Sequence, residues 1–452
     1  MSASQSIVPK PGVGQTVLPY ATFQEAFQKD PGQLHDAVQA ATAAAAAGDP
    51  AAQQQMIADW HTALGELAKN AKPALAMGAD GATIMHTPQN DLAARLQTLL
   101  VKQATAAGQV GTLQPAQTVK TPQGDSFARG VLFVKFDNDD VAGWLGMAPE
   151  LIFKPPKAAW IEPPAVPEPI PDDAQIAVFG DWGTGLYGAP AIAQTIAGLD
   201  RCDVVLHVGD TYYSGEGSEV HDRLVGDWPK RPAGTLNRSL NGNHEMYSGG
   251  KGYFQALGDF FDQPASCFAM QNANWILVCL DTAYKDFDLD EKQVAWLEST
   301  VAAAGARKLI LFSHHQPFSQ LDEQGPKLQV ALASLLKQQR IHAWFWGHEH
   351  RLVIYDPHPI WGFKGRCIGH GGFPSFRDDL PGVTHGDVYQ WVNLAPQPFS
   401  PKAQLLDGPN FWIPQDQNRF SPHGYVFLQF DGDTVNEIYR TPNNIGLLKA
   451  QL

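Results

Sequence analysis

Apolar residues follow two different periodicities along the chain, and the change comes near residue 172. Between about residues 20 and 110 they recur at three- and four-residue steps, which predicts amphipathic helices that need a partner surface. This spacing is clearest at Met56, Trp60, Leu64, Leu67, Leu92, Leu96, Leu99 and Leu100. The pattern predicts that residues 1–154 form a mainly helical region, which either caps the following domain or interacts with a partner.

A proline-rich stretch separates this region from the rest of the chain. Residues 130–136 have the composition of a strand, and prolines then crowd the segment from Pro155 to Pro171. Proline lacks an amide donor and is disfavoured inside helices and sheets, so the segment is expected to be extended. We therefore predict a linker over residues 155–172 and a second domain over residues 173–452.

In the second domain, short apolar runs alternate with helical segments, which is typical of an α/β fold. The predicted strands are 175–179, 204–208, 275–280, 308–312, 342–346, 351–355 and 424–430. The predicted helices are 188–199, 290–304 and 326–339.

Composition narrows the range of partners and locations. The formal net charge is −14 and the pI is about 5.5, which argues against nucleic acid and anionic membranes as partners, because both reward clustered Lys and Arg. None of the four cysteines forms a C-x-x-C pair, so we expect buried free thiols. The chain shows neither a secretory signal pattern nor an apolar stretch long enough to cross a bilayer. We predict a cytoplasmic protein, with export by another route left open.

The residues that can carry chemistry cluster at the carboxyl ends of the predicted strands. Five short motifs share this placement: Gly180-Asp181-Trp182-Gly183, Gly209-Asp210-Thr211-Tyr212-Tyr213, Gly242-Asn243-His244-Glu245, Ser313-His314-His315-Gln316-Pro317 and Gly347-His348-Glu349-His350. Ligands bind at that edge of open α/β sheets, since the loops there converge. Together the motifs supply carboxylate, amide, phenol and imidazole donors, the mixture that suits iron, zinc or manganese.

The five motifs resemble the signature of the calcineurin-like metallophosphoesterase superfamily, and specifically the purple acid phosphatase pattern GD-x-G, GD-x-x-Y, GNH-[DE], V-x-x-H, GH-x-H. Four of the five motifs match the pattern outright. The remaining one, the fourth in chain order, differs only in having Leu311 in place of Val. Most of the superfamily has Asp-x-His in the first motif, where this chain has Gly183. The purple acid phosphatases supply a tyrosine instead, and Tyr213 stands at that spacing. The resemblance covers about residues 174–440.

That resemblance implies a four-layer α/β/β/α sandwich, with residues 173–452 as the catalytic domain. It also implies two metal ions bridged by Asp210, with Fe(III) favoured beside the tyrosine and a divalent Fe, Zn or Mn at the second position. The first ion would be held by Asp181, Asp210, Tyr213 and His350. The second would be held by Asp210, Asn243, His314 and His348.

The function implied by the resemblance is hydrolysis of small phosphate monoesters by in-line attack of a metal-bound hydroxide. His244 and Asp210 would be the catalytic residues, with His244 stabilising the transition state or protonating the leaving group. The family has further histidines about nine residues after its fourth-motif ligand, where this chain has Asp322 and Glu323. We name His315, Arg351 and His370 as candidate substrate-binding residues. Because His314 and His315 are adjacent, we favour His314 as the ligand on its spacing from Leu311.

Three other hypotheses stay open at this stage. A protein phosphatase would share the Asn-His-Glu motif but needs Asp-Arg-Gly where this chain has Tyr-Ser-Gly, and a phosphodiesterase usually retains Asp-x-His. A catalytically silent binding module, working through the N-terminal helices by partner binding or self-association, is the alternative from another class. A pseudoenzyme ordinarily lacks a ligand, and here each motif retains its candidate.

Overall fold

The computed structural model describes residues 156–452, apart from 186, 213, 381 and 414–416, and a few residues nearer the N-terminus. Those few are Gln55 and four short strands: β1 (Thr16–Val17), β2 (Gln117–Lys120), β3 (Ser126–Arg129) and β4 (Leu132–Phe133). Strand β1 pairs with β4 in parallel, and β2 with β3 antiparallel. The helices predicted between residues 20 and 110 otherwise lie outside the described residues, and the proposed boundaries at 154 and 172 stay predictions.

Two β-sheets form the centre of the region over residues 156–452. The six-stranded sheet has the order β19 (Gly446–Gln451), β18 (Thr434–Arg440), β17 (Tyr425–Asp431), β6 (Gln175–Phe179), β7 (Val204–His207) and β8 (Leu236–Ser239). The nine-stranded sheet has the order β15 (Gln390–Leu394), β16 (Ala403–Asp407), β13 (Leu352–Pro357), β14 (Lys364–Ile368), β12 (Ile341–Trp346), β11 (Lys308–Ser313), β10 (Trp275–Leu280), β9 (Phe268–Gln271) and β5 (Glu168–Pro169). Strands β6, β7 and β8 run parallel, as do β10, β11, β12 and β14.

Alternation of side chains along the strands explains how the sheets stack. In β6, Ile176 and Val178 join the core between the two sheets, whereas Ala177 and Phe179 face the outer helices. In β10, Leu277 lies in the same core between the sheets, and Val278 lies in the core between the nine-stranded sheet and the helices that cover it. Since successive side chains in a strand point to opposite faces, each of these strands is buried on both sides.

Helices cover both outer faces. The six-stranded sheet packs against α1 (Ala189–Ala197), the π-helix Val220–Val225 and α4 (Lys251–Asp259); the nine-stranded sheet packs against α5 (Glu291–Ala304), α6 (Pro326–Ala331) and α7 (Ala333–Lys337). Short helices α2 (Gly217–Glu219) and α3 (Asn243–Met246), and 3-10 turns at Arg377–Asp379 and Gln417–Arg419, lie in the loops. The predicted four-layer α/β/β/α sandwich is confirmed.

Most predicted elements agree with the observed bounds to within two residues. The predicted helix 326–339 is divided at Leu332, which lies outside helical geometry between α6 and α7. All four cysteines are buried and free, as expected. In the described part of the chain, none of the helices combines the length and apolarity that crossing a bilayer requires.

Candidate metal centre

The candidate site lies where strands of both sheets end. Asp181 and Asp210 follow β6 and β7, and His314 and His348 follow β11 and β12. Asn243 begins helix α3, after β8. These side chains are all buried, although carboxylates, amides and imidazoles normally prefer water.

The backbone is unusual at four of the predicted ligands. Asp181, Asp210, His348 and His350 have φ angles of 54°, 76°, 68° and 52°, in the left-handed region that non-glycine residues rarely adopt. Such a conformation costs about 1–3 kcal/mol per residue and persists only where the surroundings impose it. Its concentration at these residues indicates that the loops are shaped to aim side chains inward.

The first cluster of donors surrounds the hydroxyl of Tyr212. This oxygen lies 2.9 Å from His350 Nε2, 3.1 Å from Asp181 Oδ1 and 3.2 Å from Asp210 Oδ2. His350 Nε2 is in turn 3.3 Å from Asp181 Oδ1. A phenol, two carboxylates and an imidazole therefore converge on one point.

The second cluster shares Asp210 with the first. His314 Nε2 lies 3.3 Å from Asp210 Oδ1, 3.0 Å from Asn243 Oδ1 and 3.3 Å from His348 Nδ1. His348 Nδ1 is also 3.1 Å from Asn243 Oδ1. The structure thus brings together every predicted ligand that it describes, in two groups joined by Asp210.

The second cluster fits a cation on chemical grounds. Asn243 Nδ2 donates to the Tyr247 hydroxyl at 2.6 Å, which turns Oδ1 toward His314. The Nδ1 atom of His314 lies 3.0 Å from the Val208 carbonyl oxygen, to which it donates, so Nε2 of the neutral ring is an acceptor. Two acceptors face each other at 3.0 Å, and that contact is favourable only with a proton or a metal ion between them. Ligands bonded to one ion at about 2.0–2.2 Å have similar mutual separations.

Residues 174–352, which contain every predicted ligand, match the family model described as calcineurin-like phosphoesterase. Residues 174–352 therefore form a calcineurin-like phosphoesterase domain. The superfamily assignment made from the five motifs is confirmed. No curated protein matches the chain significantly.

Similar solved structures include the purple acid phosphatase PPD1 from yellow lupin (Lupinus luteus) seeds, at 16% identity and a TM-score of 0.46, covering 63% of this chain and 55% of that one. A predicted phosphoesterase from Streptococcus pneumoniae has 10% identity and a TM-score of 0.27, covering 62% and 97%. A single mutant of Vps29 from Entamoeba histolytica has 12% identity and a TM-score of 0.27, covering 62% and 99%. This chain spans about half the length of the lupin protein.

Tyr212 supplies a phenol that the sequence did not assign to the ligand set. The resemblance predicts the phenol at Tyr213, which lies outside the described residues. Backbone hydrogen bonds between two loops hold Tyr212 in the site. The Tyr212 amide donates to the Gly183 carbonyl at 3.0 Å, and the Gly183 amide donates to the Asp210 carbonyl at 3.2 Å. A Cβ at residue 183 would lie 2.7 Å from the Cα of Thr211, so only glycine allows this approach. The Tyr-Tyr doublet was the available signal, but spacing alone could not choose between its members.

Burial and charge set the protonation of the site. Burial alone would raise the pKa of Asp210, but His314, His244 and His348 surround it and hold that pKa well below its usual range. For His314, burial opposes protonation, yet Asp210, Asp181 and Glu245 outweigh it and raise the pKa to about 9. These carboxylates thus favour a positive charge at the position where a metal ion would sit.

The pKa values of the Tyr212 phenol and of the nearby Glu245 are both raised. Burial, followed by the charges of Asp181 and Asp210, raises the pKa of Tyr212 well above 10, so the phenol keeps its proton unless a strong cation displaces it. Burial and Asp210 raise the pKa of Glu245 to about 7. Glu245 Oε2 nevertheless accepts the Gly242 amide at 2.7 Å, which closes the turn before α3.

Further hydrogen bonds fix the ligands from behind. Asp181 Oδ2 accepts the His348 amide at 2.8 Å, and Asp210 Oδ1 accepts the His244 amide at 3.1 Å. A Cβ at Gly242 would lie 2.0 Å from Asp210 Oδ1, so glycine is required there as well. Such outer contacts orient ligands and keep their metal-facing atoms in place.

His244, predicted as catalytic, lies beside the shared carboxylate. Its Nε2 is 3.8 Å from Asp210 Oδ2, and its ring contacts those of Tyr212 and Tyr247 at centroid distances of 4.6 and 4.7 Å. Both rings flank the imidazole. This position is compatible with a proton-transfer role next to the ligand clusters.

The three candidate substrate-binding residues have different surroundings. A ring nitrogen of His315 lies within 4.8 Å of one from His314 and one from His348, so His315 borders the second cluster. The Arg351 guanidinium donates to the hydroxyls of Ser375 and Ser421 and to the Phe376 carbonyl. These contacts support a structural role for Arg351.

His370 is also fully buried, and neither of its ring nitrogens has a hydrogen-bond partner in the described part of the chain. Burial lowers its pKa to about 4, which favours the neutral ring. The substrate-binding assignments of Arg351 and His370 remain predictions.

Proposed function

We propose that this phosphoesterase hydrolyses small phosphate monoesters with two metal ions, in the manner of a purple acid phosphatase. The observation that carries the proposal is the pair of donor clusters sharing Asp210, with a phenol in the first cluster. When bound, two ions would supply a nucleophile near neutral pH and hold the phosphoryl group. Asp181, Asp210, Tyr212 and His350 would hold the first ion, and Asp210, Asn243, His314 and His348 the second.

The phenol supports Fe(III) at the first position, with a divalent Fe, Zn or Mn at the second. Phenolate is a hard anionic donor that suits a trivalent ion. Because its buried, carboxylate-flanked position raises the pKa of Tyr212, an ion of high charge is needed to displace its proton. We assign the phenolate to Tyr212 on the basis of its contacts, whereas the sequence resemblance assigned it to Tyr213.

The protein's own residues would divide the remaining tasks. His244 would donate a hydrogen bond to the phosphoryl group or a proton to the leaving alkoxide, since it lies beside Asp210 and is buried. Asn243 would keep its oxygen toward the second ion through its bond to Tyr247. Buried walls around the clusters would strengthen each of these interactions by excluding water.

A phosphodiesterase of the same superfamily is the second candidate, and a protein phosphatase is a third. The exchange of the usual first-motif histidine for Gly183, together with a phenol in the first cluster, favours the purple acid phosphatase type over both. A catalytically silent module is disfavoured because the donors of both clusters converge.

The decisive experiment measures metal content and hydrolysis of an aryl phosphate monoester by the wild-type protein and by Asp210→Asn. We expect two metal ions per wild-type chain, and at least about a thousandfold lower kcat/KM in the variant, because it lacks the carboxylate that both donor clusters share. Hydrolysis of bis-aryl phosphate is measured in parallel. A protein that takes up no metal and cleaves neither ester would refute the proposal, and one that prefers the diester would select the second candidate.

A further inference from the structure

His315 is a buried imidazole beside the second cluster that none of the proposed metal-binding roles uses. Its side chain is fully buried, and its Nε2 atom has no hydrogen-bond partner among the residues that the structure describes. Its ring centroid lies 4.8 Å from that of His314 and 4.9 Å from that of His348. A buried polar atom without a partner is costly, so its presence next to a binding site calls for a ligand.

Thr282 determines which nitrogen of His315 carries the hydrogen. The Thr282 hydroxyl accepts the His315 amide at 3.1 Å and lies 2.9 Å from Nδ1. Thr282 is fully buried, and its hydroxyl hydrogen has no other acceptor within the described chain. Donation from the hydroxyl to Nδ1 satisfies both groups, which leaves the hydrogen of the neutral ring on Nε2. The unpartnered atom is therefore a donor.

Phe287 fixes the plane of the same ring. The two ring centroids are 3.7 Å apart with an interplanar angle of 36°, and Phe287 also contacts His348 edge-on at 5.1 Å. Asp286 and Phe287 both have left-handed backbones, with φ of 57° and 59°. Two successive strained residues, one of them aromatic, indicate that the loop is held in the conformation that presents this ring.

We propose that His315 is a phosphoryl-binding residue, whose Nε2–H donates to a phosphoryl oxygen held beside His314 and His348. Thr282 and Phe287 are its positioning residues, one for the tautomer and one for the ring plane. The inference rests on the proposed function and names the side chain that contacts its phosphate ester. A protonated Nε2 cannot be a metal ligand, which separates this role from that of His314.

The test uses full-length, metal-loaded protein and inorganic phosphate as the probe. Phosphate affinity is measured by calorimetry, metal content by atomic emission, and kcat and KM with an aryl phosphate. The variants are His315→Leu, Thr282→Val and Thr282→Ser. His342→Leu is the matched control, because His342 also has a buried, unpartnered Nε2 but lies near the start of β12, at the end of the strand away from the clusters.

His315→Leu should bind phosphate about tenfold or more weakly while retaining two ions, since it loses one hydrogen bond to a charged group. Thr282→Val should weaken phosphate binding about threefold to fivefold, through a tautomer no longer fixed, and Thr282→Ser should restore it to within about twofold. The control should bind phosphate like the wild type.

Unchanged phosphate affinity in His315→Leu would overturn the inference, and so would loss of the second ion, which would make His315 a ligand. Failure of the proposed function looks different. A wild-type protein with two ions that cleaves no ester refutes that function, while the phosphate series still decides the role of His315.

Discussion

Buried charges are handled in two different ways in this molecule. In one region, between β14 and β18, the Arg366 guanidinium pairs with Glu437 through bonds of 2.6 and 3.0 Å, and Tyr439 donates to the same carboxylate. In the candidate metal centre, Asp181 and Asp210 are equally buried, yet the basic side chains that pair with them in the described residues are histidines, with no arginine or lysine. The first group of charges is balanced by an arginine, whereas the part of the chain that the structure describes offers the second group only imidazoles.

This difference separates a structural charge from a functional one. A carboxylate with a bidentate arginine has its charge balanced in every state of the protein. A pair of carboxylates balanced by imidazoles can exchange those protons for cations, because imidazole nitrogen is itself a good ligand. The contrast therefore predicts where substitution affects stability and where it affects metal binding.

The largest effect on stability should come from the Arg366–Glu437 pair. Glu437→Gln leaves the Arg366 charge buried without its partner, and we expect the free energy of unfolding to fall by about 3–5 kcal/mol. Asp210→Asn in metal-free protein should cost less, at most about 1 kcal/mol, because the histidines around it can release their protons once the carboxylate is gone, so no charge stays buried without a partner. Urea unfolding followed by tryptophan fluorescence measures both. Similar losses for the two variants would show that the comparison is wrong.

A second prediction concerns the Tyr212 phenol of the candidate metal centre. In iron-loaded protein, Tyr212→Phe should abolish the visible phenolate-to-Fe(III) absorption and weaken iron binding about tenfold to a hundredfold, a range typical of lost metal-site contacts. Tyr213→Phe is the matched control and should keep the colour. The reverse result would return the phenolate to Tyr213, as the motif spacing predicts. A colourless wild-type protein with full activity would exclude the purple subtype and leave phosphoesterase chemistry intact.

The two regions also differ in how far the sequence could predict them. Strands such as Gln175–Phe179 carry their own apolar pattern, and the candidate ligands follow those strands in short motifs, so local sequence was enough to predict both. Arg366 and Glu437 are 71 residues apart and meet only through the stacking of two sheets, for which no local signal exists. Between these extremes lies Tyr212, whose orientation depends on a backbone contact with Gly183 that spacing does not encode.

The smallest expected effect concerns a second buried arginine–carboxylate pair, Arg377 and Asp407, and the pH dependence of its contribution to stability. Burial would raise the pKa of Asp407, but bidentate bonds of 2.8 Å from Arg377 and a bond from Gln390 lower it to about 2. A carboxylate with a depressed pKa adds stability above its unfolded pKa of about 3.9, and that stability is lost as the pH falls toward 2.

We expect Asp407→Asn to be about 1–2 kcal/mol less stable than the wild type at pH 6, with the difference shrinking between pH 4 and pH 2. Urea midpoints measured across that range test the sign. A difference that persists at pH 2 would mean that the Asp407 hydrogen bonds, rather than its charge, stabilise this region. The arginine-paired carboxylates and the carboxylates Asp181 and Asp210 would then differ in hydrogen-bond geometry rather than in charge balance. The contrast with Asp407 would no longer support a cation between Asp181, Asp210 and the histidines.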